Sequence, residues 1–269
     1  MGIRSRDRVA VPDCRDGPKR CQLPAGLSLH VSLSKSYVRR MTILRRALQS
    51  AVAAARANLL PGLLLQCLMV VFLSAYVAHE GTRMFLAEVA RVRQEAGYLF
   101  AFVSYATAAA LLPEILRIAF FQGGRPTKRN LWLFLTAAPA WGCLGIIVDF
   151  FYRCQSEWFG SGTGLMTILP KVLVDQLLFS PLISNPLTIA WFIWRDERFR
   201  STAWRKVFRP GFYIDRVFPV QVSGWIIWIP GVALVYSMPP LLQIPVAVLI
   251  QAFWALVFTT VGQASDKTV

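Results

Sequence analysis

The chain predicts an all-α integral membrane protein, a bundle of about six transmembrane helices with both termini on the positive side. Three observations carry that prediction. Hydrophobic residues make up 55% of the 269 positions and charged residues only 16%, against roughly 25% charged in soluble domains. The mean hydropathy is +0.49. The charges are also bunched, and residues 217–265 contain no Asp, Glu, Lys or Arg at all. A soluble core has no use for such a stretch, whereas two membrane helices of about 20 residues each require one.

The first region, residues 1–58, is basic. From Lys19 to Ala78 there is no acidic residue, while Arg39, Arg40, Arg45, Arg46 and Arg56 recur beside Ser and Ala. Val38, Met41, Leu44, Leu48, Val52 and Ala55 keep helical spacing. An amphipathic, Arg-rich, acid-poor helix is the composition of a mitochondrial targeting segment, or of a surface helix leading into the first span. Asp7, Asp13 and Asp16 run against the targeting reading.

Six apolar runs follow, at approximately 59–78, 98–121, 131–151, 172–194, 217–237 and 241–262. At 1.5 Å per residue each covers a hydrocarbon core of about 30 Å. Barrel strands would instead alternate polar and apolar residues over about ten positions. The first run and a connecting loop (59–96) read as an addition before the main membrane domain, 97–264. The second run is the weakest, since Glu114 and Arg117 interrupt it, and a shorter span with an interfacial turn after Pro113 is the alternative. Pro170 fits the first turn of the fourth helix. Pro181 and Pro186 are expected to kink that helix and Pro230 the fifth, freeing backbone carbonyls.

Charge placement tests the count. Six crossings put 23 Lys and Arg on the side of the termini and five (Arg83, Arg91, Arg93, Arg153 and Lys171) in the opposite loops. Positive residues stay on the side of insertion, so both termini are expected to face the matrix or cytosol. The net charge of +15 is then accounted for by topology and by acidic lipid headgroups, without nucleic acid. Phe199, Trp204 and Phe208 in the basic segment 198–212 read as interface anchors.

Catalytic and metal motifs are missing. His79-Glu80 lacks the second histidine of a zinc-protease helix, and residues 160–166, GSGTGLM, lack the Lys of a phosphate-binding loop. Cys14 and Cys21 have no partner histidine nearby, and Cys67 and Cys143 fall within spans, so free thiols are expected. No enzyme activity, cofactor or metal is predicted.

The chemically conspicuous groups are ionisable residues at membrane depth: Glu114, Arg117, Asp149 and Asp175. Charges there are expensive and usually face protein or water. Glu114 and Arg117, three apart, can pair on one helix face. Asp149, one turn from the end of its span and next to Arg153, is in reach of the interface. Lys171 and Asp175 stand four apart near a helix start, with Gln176 beside them. These three either line a pore or lock a bundle through interhelical hydrogen bonds.

Lys171, Asp175, Gln176, Phe179 and Pro181 form K-x3-D-Q-x2-F-x-P, which resembles the signature of the Mpv-seventeen/PMP-twenty-two family of peroxisomal and mitochondrial inner-membrane proteins. Trp225, Trp228 and Pro230 are similar to its W-x2-W-P element, with one extra residue. Tyr236, Pro239 and Trp254 are similar to its N-F-x2-V-P…W element, and Gly145, Phe151 and Tyr152 to its G-P-x4-W-Y element. Arg129 stands where the family has an arginine. The family's Asn-Phe pair falls on Leu234 and Val235, its later arginine on Gln243, and Pro113-Glu114 replaces an early Gly-Asp, so the likeness is to a divergent member over residues 97 to 260. The resemblance implies a channel-like protein of the mitochondrial inner membrane, or alternatively the peroxisomal membrane, that affects solute permeability or metabolite homeostasis. The competing reading is a structural subunit of a larger inner-membrane complex, a respiratory or ATP synthase assembly, without transport activity.

Overall fold

The computed structural model describes residues 59–252, together with the helical positions Arg45, Gln49, Val52, Ala53 and Arg56. The remainder of the basic region 1–58, with Cys14, Cys21 and His30, lies outside the described residues, as do 253–262 of the last expected span and Trp254 within it.

The described residues form helices and no strand. In chain order they are α1 (Leu59–Ala78), α2 (Glu80–Ala96), α3 (Tyr98–Ala119), α4 (Lys128–Phe159), α5 (Leu165–Asp196), the short α6 (Ala203–Val207), α7 (Tyr213–Ser237) and α8 (Pro240–Ala252). Four of them, α3, α4, α5 and α7, are long and apolar enough to cross a membrane. On α5, Leu165, Leu169, Leu173 and Leu177 recur every four residues and are all exposed. A leucine stripe facing outward has a natural solvent in lipid and a poor one in water.

Three expectations need correction. Residues 80–96 are a 17-residue helix and not a connecting loop. Its buried face is Leu86, Ala90 and Arg93, while Glu88, Arg91 and Glu95 are exposed and ion-paired, and the hydrogen bond from Arg91 holds the Glu88 carboxyl below its ordinary range. The second span does not break after Pro113. It runs on to Ala119 because Thr107–Leu111 widens into a π-helical turn, and Pro113 falls in the first turn of the α-helix that resumes after it. The fourth span starts at Leu165 and not at Pro170, so Pro170 lies inside the helix. Asp175 is therefore ten residues from the helix start, too far for the N-terminal dipole to act on it.

Gly97 separates α2 from α3 with φ of 57°, a left-handed conformation that a residue with a Cβ adopts at a cost. α3 and α4 then pack as an antiparallel pair. Their backbones come close at Gly145, where an added Cβ would stand 2.6 Å from the Ala101 carbonyl oxygen and 2.8 Å from the Tyr105 Cβ. At Gly142 it would instead meet the Phe102 ring, a side chain that can swing aside. Gly145→Ala is therefore expected to destabilise the protein by about 1–3 kcal/mol and Gly142→Ala by less, as read by thermal unfolding in detergent. Equal melting shifts for the two would refute the close-approach argument.

The core lies where α4 and α5 meet α7 and α8. Phe151 stacks on Phe179 with ring centroids 4.0 Å apart, and Tyr152 meets Tyr236 edge-on at 5.1 Å. Val235, Ile244 and Ala247 are fully buried beside them.

Candidate functional site

The site begins with a proline. Asp175–Ser184 is π-helical, with Pro181 inside it. In the i→i+5 pattern the N–H of residue 181 would reach the Gln176 carbonyl, but proline has no N–H to give. That carbonyl accepts instead from Gln221 Nε2 and Trp225 Nε1 of α7, each at 3.2 Å. The same solution recurs at Pro230, whose absent N–H orphans the Ile226 carbonyl. Gln66 Nε2 of α1 donates to that oxygen at 3.3 Å. Pro186 begins the α-helical end of α5. Backbone oxygens freed by Pro181 and Pro230 thus serve as docking points between helices.

The wide π turn carries Asp175 and Gln176 into the bundle, where both are buried. Asp175 Oδ2 accepts from the Tyr236 hydroxyl at 2.7 Å, and Oδ1 accepts from Gln176 Nε2 at 2.8 Å. Gln155 Nε2 donates in turn to the Tyr236 oxygen at 3.2 Å and to the Lys171 carbonyl at 3.0 Å. Asp175, Tyr236 and Gln155 therefore link α5, α7 and α4 in one buried chain of hydrogen bonds. The same-face pairing of Lys171 with Asp175 is not made, since no ion pair joins them. The Lys171 ammonium lies over the Tyr236 ring, 5.6 Å from its centroid.

On the other side of Asp175 opens a cavity of about 720 Å³, in the range of small-molecule sites (roughly 300–1,000 Å³). Its floor is Asp175, Gln176, Tyr105 and Tyr152; Ser180, Asn185, Gln221 and Trp228 stand above them. Its mouth carries Glu114, Arg117, Arg195, Asp196 and Arg216. Asp196 and Arg216 are exposed, so the cavity reaches the surface at the end where α3 and α5 finish and α7 begins. From Tyr105 to Arg117 it follows α3 for roughly 18 Å. Lys171 does not line it. Toward the opposite end the way is filled by Tyr236, Gln155 and Lys171, all buried.

The ionisable groups divide between these two ends. Glu114 pairs with Arg117 at 2.8 Å and accepts from Asn130 Nδ2 at 2.8 Å, closing α3 onto the start of α4 near the mouth. Asn130 also caps α4 with Thr127. Asp149 is fully buried within the protein. It pairs with Arg93 of α2 at 2.6 Å and with Arg153 at 3.1 Å. Arg93 also donates to the Pro240 carbonyl at the start of α8. Arg93, counted from sequence as a loop charge, is thus a buried tie among three helices.

As site residues, sequence reasoning missed Arg93, Gln155 and Gln221, and it named Tyr236 only within a family-like element. The amides carried a usable signal, being polar groups inside apolar runs; Arg93 carried none, because its partner is 56 residues away. Cys67 and Cys143 are exposed on their helices, and neither is bonded. Trp204 and Phe208 are stacked and exposed, with Phe199 against Trp194. No family model, curated protein or solved structure matches the chain.

Proposed function

We propose that the protein is a channel-like protein of the mitochondrial inner membrane that affects solute permeability, with the pathway shut in this conformation. The observation that carries the reading is a wide cavity, open at one end and stopped at the other by the Asp175–Tyr236–Gln155 chain. A pathway needs polar groups within the apolar bundle and an obstruction that can move; the buried Asp175 and Gln176 supply the first, and the Asp175–Tyr236–Gln155 chain is proposed as the second. In this reading Asp175 and Gln176 line the path and Lys171 backs the obstruction.

The topology proposed is six spans, with α1 and residues 241–262 added to α3, α4, α5 and α7. Arg93 and Lys171 are buried and drop out of the charge count. Arg83, Arg91 and Arg153 then remain opposite the positive side, which favours both termini, and the cavity mouth, facing the matrix. The acid-poor, Arg-rich segment before α1 supports the mitochondrial address, and the likeness of Lys171–Pro181 to the Mpv-seventeen/PMP-twenty-two signature supports both membrane and activity. Acidic headgroups are the partners proposed for the basic segment 198–212.

Proteoliposome swelling in small neutral solutes tests the function. Wild type is expected to admit solutes that protein-free vesicles exclude, and Asp175→Asn to change the rate severalfold. Folded protein that admits nothing in either form would sink the reading.

One observation favours the structural-subunit alternative: both carboxylate oxygens of Asp175 are occupied by groups of the bundle itself. Under that reading the protein migrates on native gels with a respiratory or synthase assembly and conducts nothing after purification.

A further inference from the structure

Two mismatched groups at the cavity floor, together with its aromatic lining, specify a ligand. The first is Asp175. The other carboxylates lining the cavity each have an arginine, Glu114 with Arg117 and Asp196 with Arg195. Asp175 has hydrogen bonds but no cation within ion-pair distance among the described residues. The second is Gln176. Its Nε2 donates to Asp175 Oδ1, which fixes the amide orientation because a carboxylate requires a donor. Its Oε1 is therefore the remaining acceptor. That atom is buried and has no partner among the described residues, and the side chain lines the cavity. The third feature is an aromatic wall: Tyr105 and Tyr152 at the floor itself, with Phe179 and Trp228 lining the cavity as well.

We propose that the cavity floor binds a protonated organic amine, with the ammonium donating to Gln176 Oε1 beside the Asp175 carboxylate and its apolar body against the aromatic wall. The inference deepens the permeability reading and rests on the same cavity; it names the class of solute that the floor selects. An ammonium supplies both missing elements at once, a positive charge for Asp175 and an N–H for Gln176. Aromatic rings add cation–π attraction in a site shielded from water. A hard metal ion fits poorly, because it wants about six or more oxygen ligands and the floor offers one unpartnered acceptor and a carboxylate already hydrogen-bonded twice. An organic anion fits the floor worse still, since no cationic side chain lines it; the Lys171 ammonium stands over the Tyr236 ring, outside the cavity lining. The arginines lie at the mouth, most of the cavity's length away.

Binding to the full-length protein in lipid nanodiscs, measured by calorimetry, tests the proposal with four probes of one size. These are 2-phenylethylamine, the neutral 2-phenylethanol, the anionic phenylacetate, and phenyltrimethylammonium, which is cationic but has no N–H. The primary amine is expected to bind at least about tenfold more tightly than each of the others, as a charge-assisted hydrogen bond warrants. Asp175→Asn and Gln176→Leu are each expected to remove about that advantage. The probe series on wild type decides by itself if either variant fails to fold. Equal binding of the alcohol or of the quaternary ammonium, tighter binding of phenylacetate, or no binding of the amine would overturn the assignment. No flux is possible in a nanodisc, so this result is independent of the swelling assay. An amine that binds without any flux keeps the site and removes the channel; neutral solutes that pass without amine binding do the reverse.

Discussion

Arg93→Met is expected to destabilise the protein by about 3–5 kcal/mol, the usual cost of breaking a buried ion pair from one side. Asp149 has no exposed surface, and its Oδ1 accepts from Arg93 at 2.6 Å. With Arg93 gone, Oδ2 keeps Arg153, but that arginine is half exposed and cannot follow the carboxylate inward. The variant also removes the donor from the Pro240 carbonyl, which loosens α8 as well as α2. Met preserves most of the side-chain volume, so the loss reports charge and hydrogen bonding more than packing. Unfolding of the purified protein in mild detergent provides the measurement. The double variant Arg93→Met with Asp149→Leu is expected to recover much of the loss, because an apolar pair leaves no stranded charge. A single variant as stable as wild type would show that Asp149 is already satisfied without Arg93.

Tyr236→Phe is expected to cost about 2–3 kcal/mol and to raise solute leak through proteoliposomes. Its hydroxyl is the only donor to Asp175 Oδ2 among the described residues, and a hydrogen bond to a charged acceptor contributes about 1.5–3 kcal/mol. The ring itself survives the substitution, so its edge contact with Tyr152 and the Lys171 ammonium above it are retained. The obstruction between the cavity and the opposite end then loses its link from α5 to α7. Tyr152→Phe is the control. That ring is also buried, but its hydroxyl makes no hydrogen bond among the described residues, so little change in stability is expected. Matching effects in the two variants would assign the result to general loosening and not to the Asp175 link.

Composition and charge spacing alone determined a helical chain with runs long and apolar enough to cross a membrane, because continuous apolar runs are a local property and survive any packing. The polar sites were legible as residues: Glu114, Arg117, Asp149, Lys171, Asp175 and Gln176 all stand out against their surroundings. What each of them does was not legible, since a buried charge is defined by a partner that sequence distance hides. Residues 80–96 show the limit well. Their exposed acids and arginines read as a loop, while Leu86, Ala90 and Arg93 form a buried face only once α4 and α8 are in place. The π turn at Asp175–Ser184 shows the same limit on the backbone. Pro181 announced a kink, but only the tertiary structure decided that Gln221 and Trp225 would take the orphaned carbonyl and that Asp175 would turn toward Tyr236. Local chemistry fixes which groups must be satisfied; the approach of distant helices fixes what satisfies them, and so where a cavity is left open.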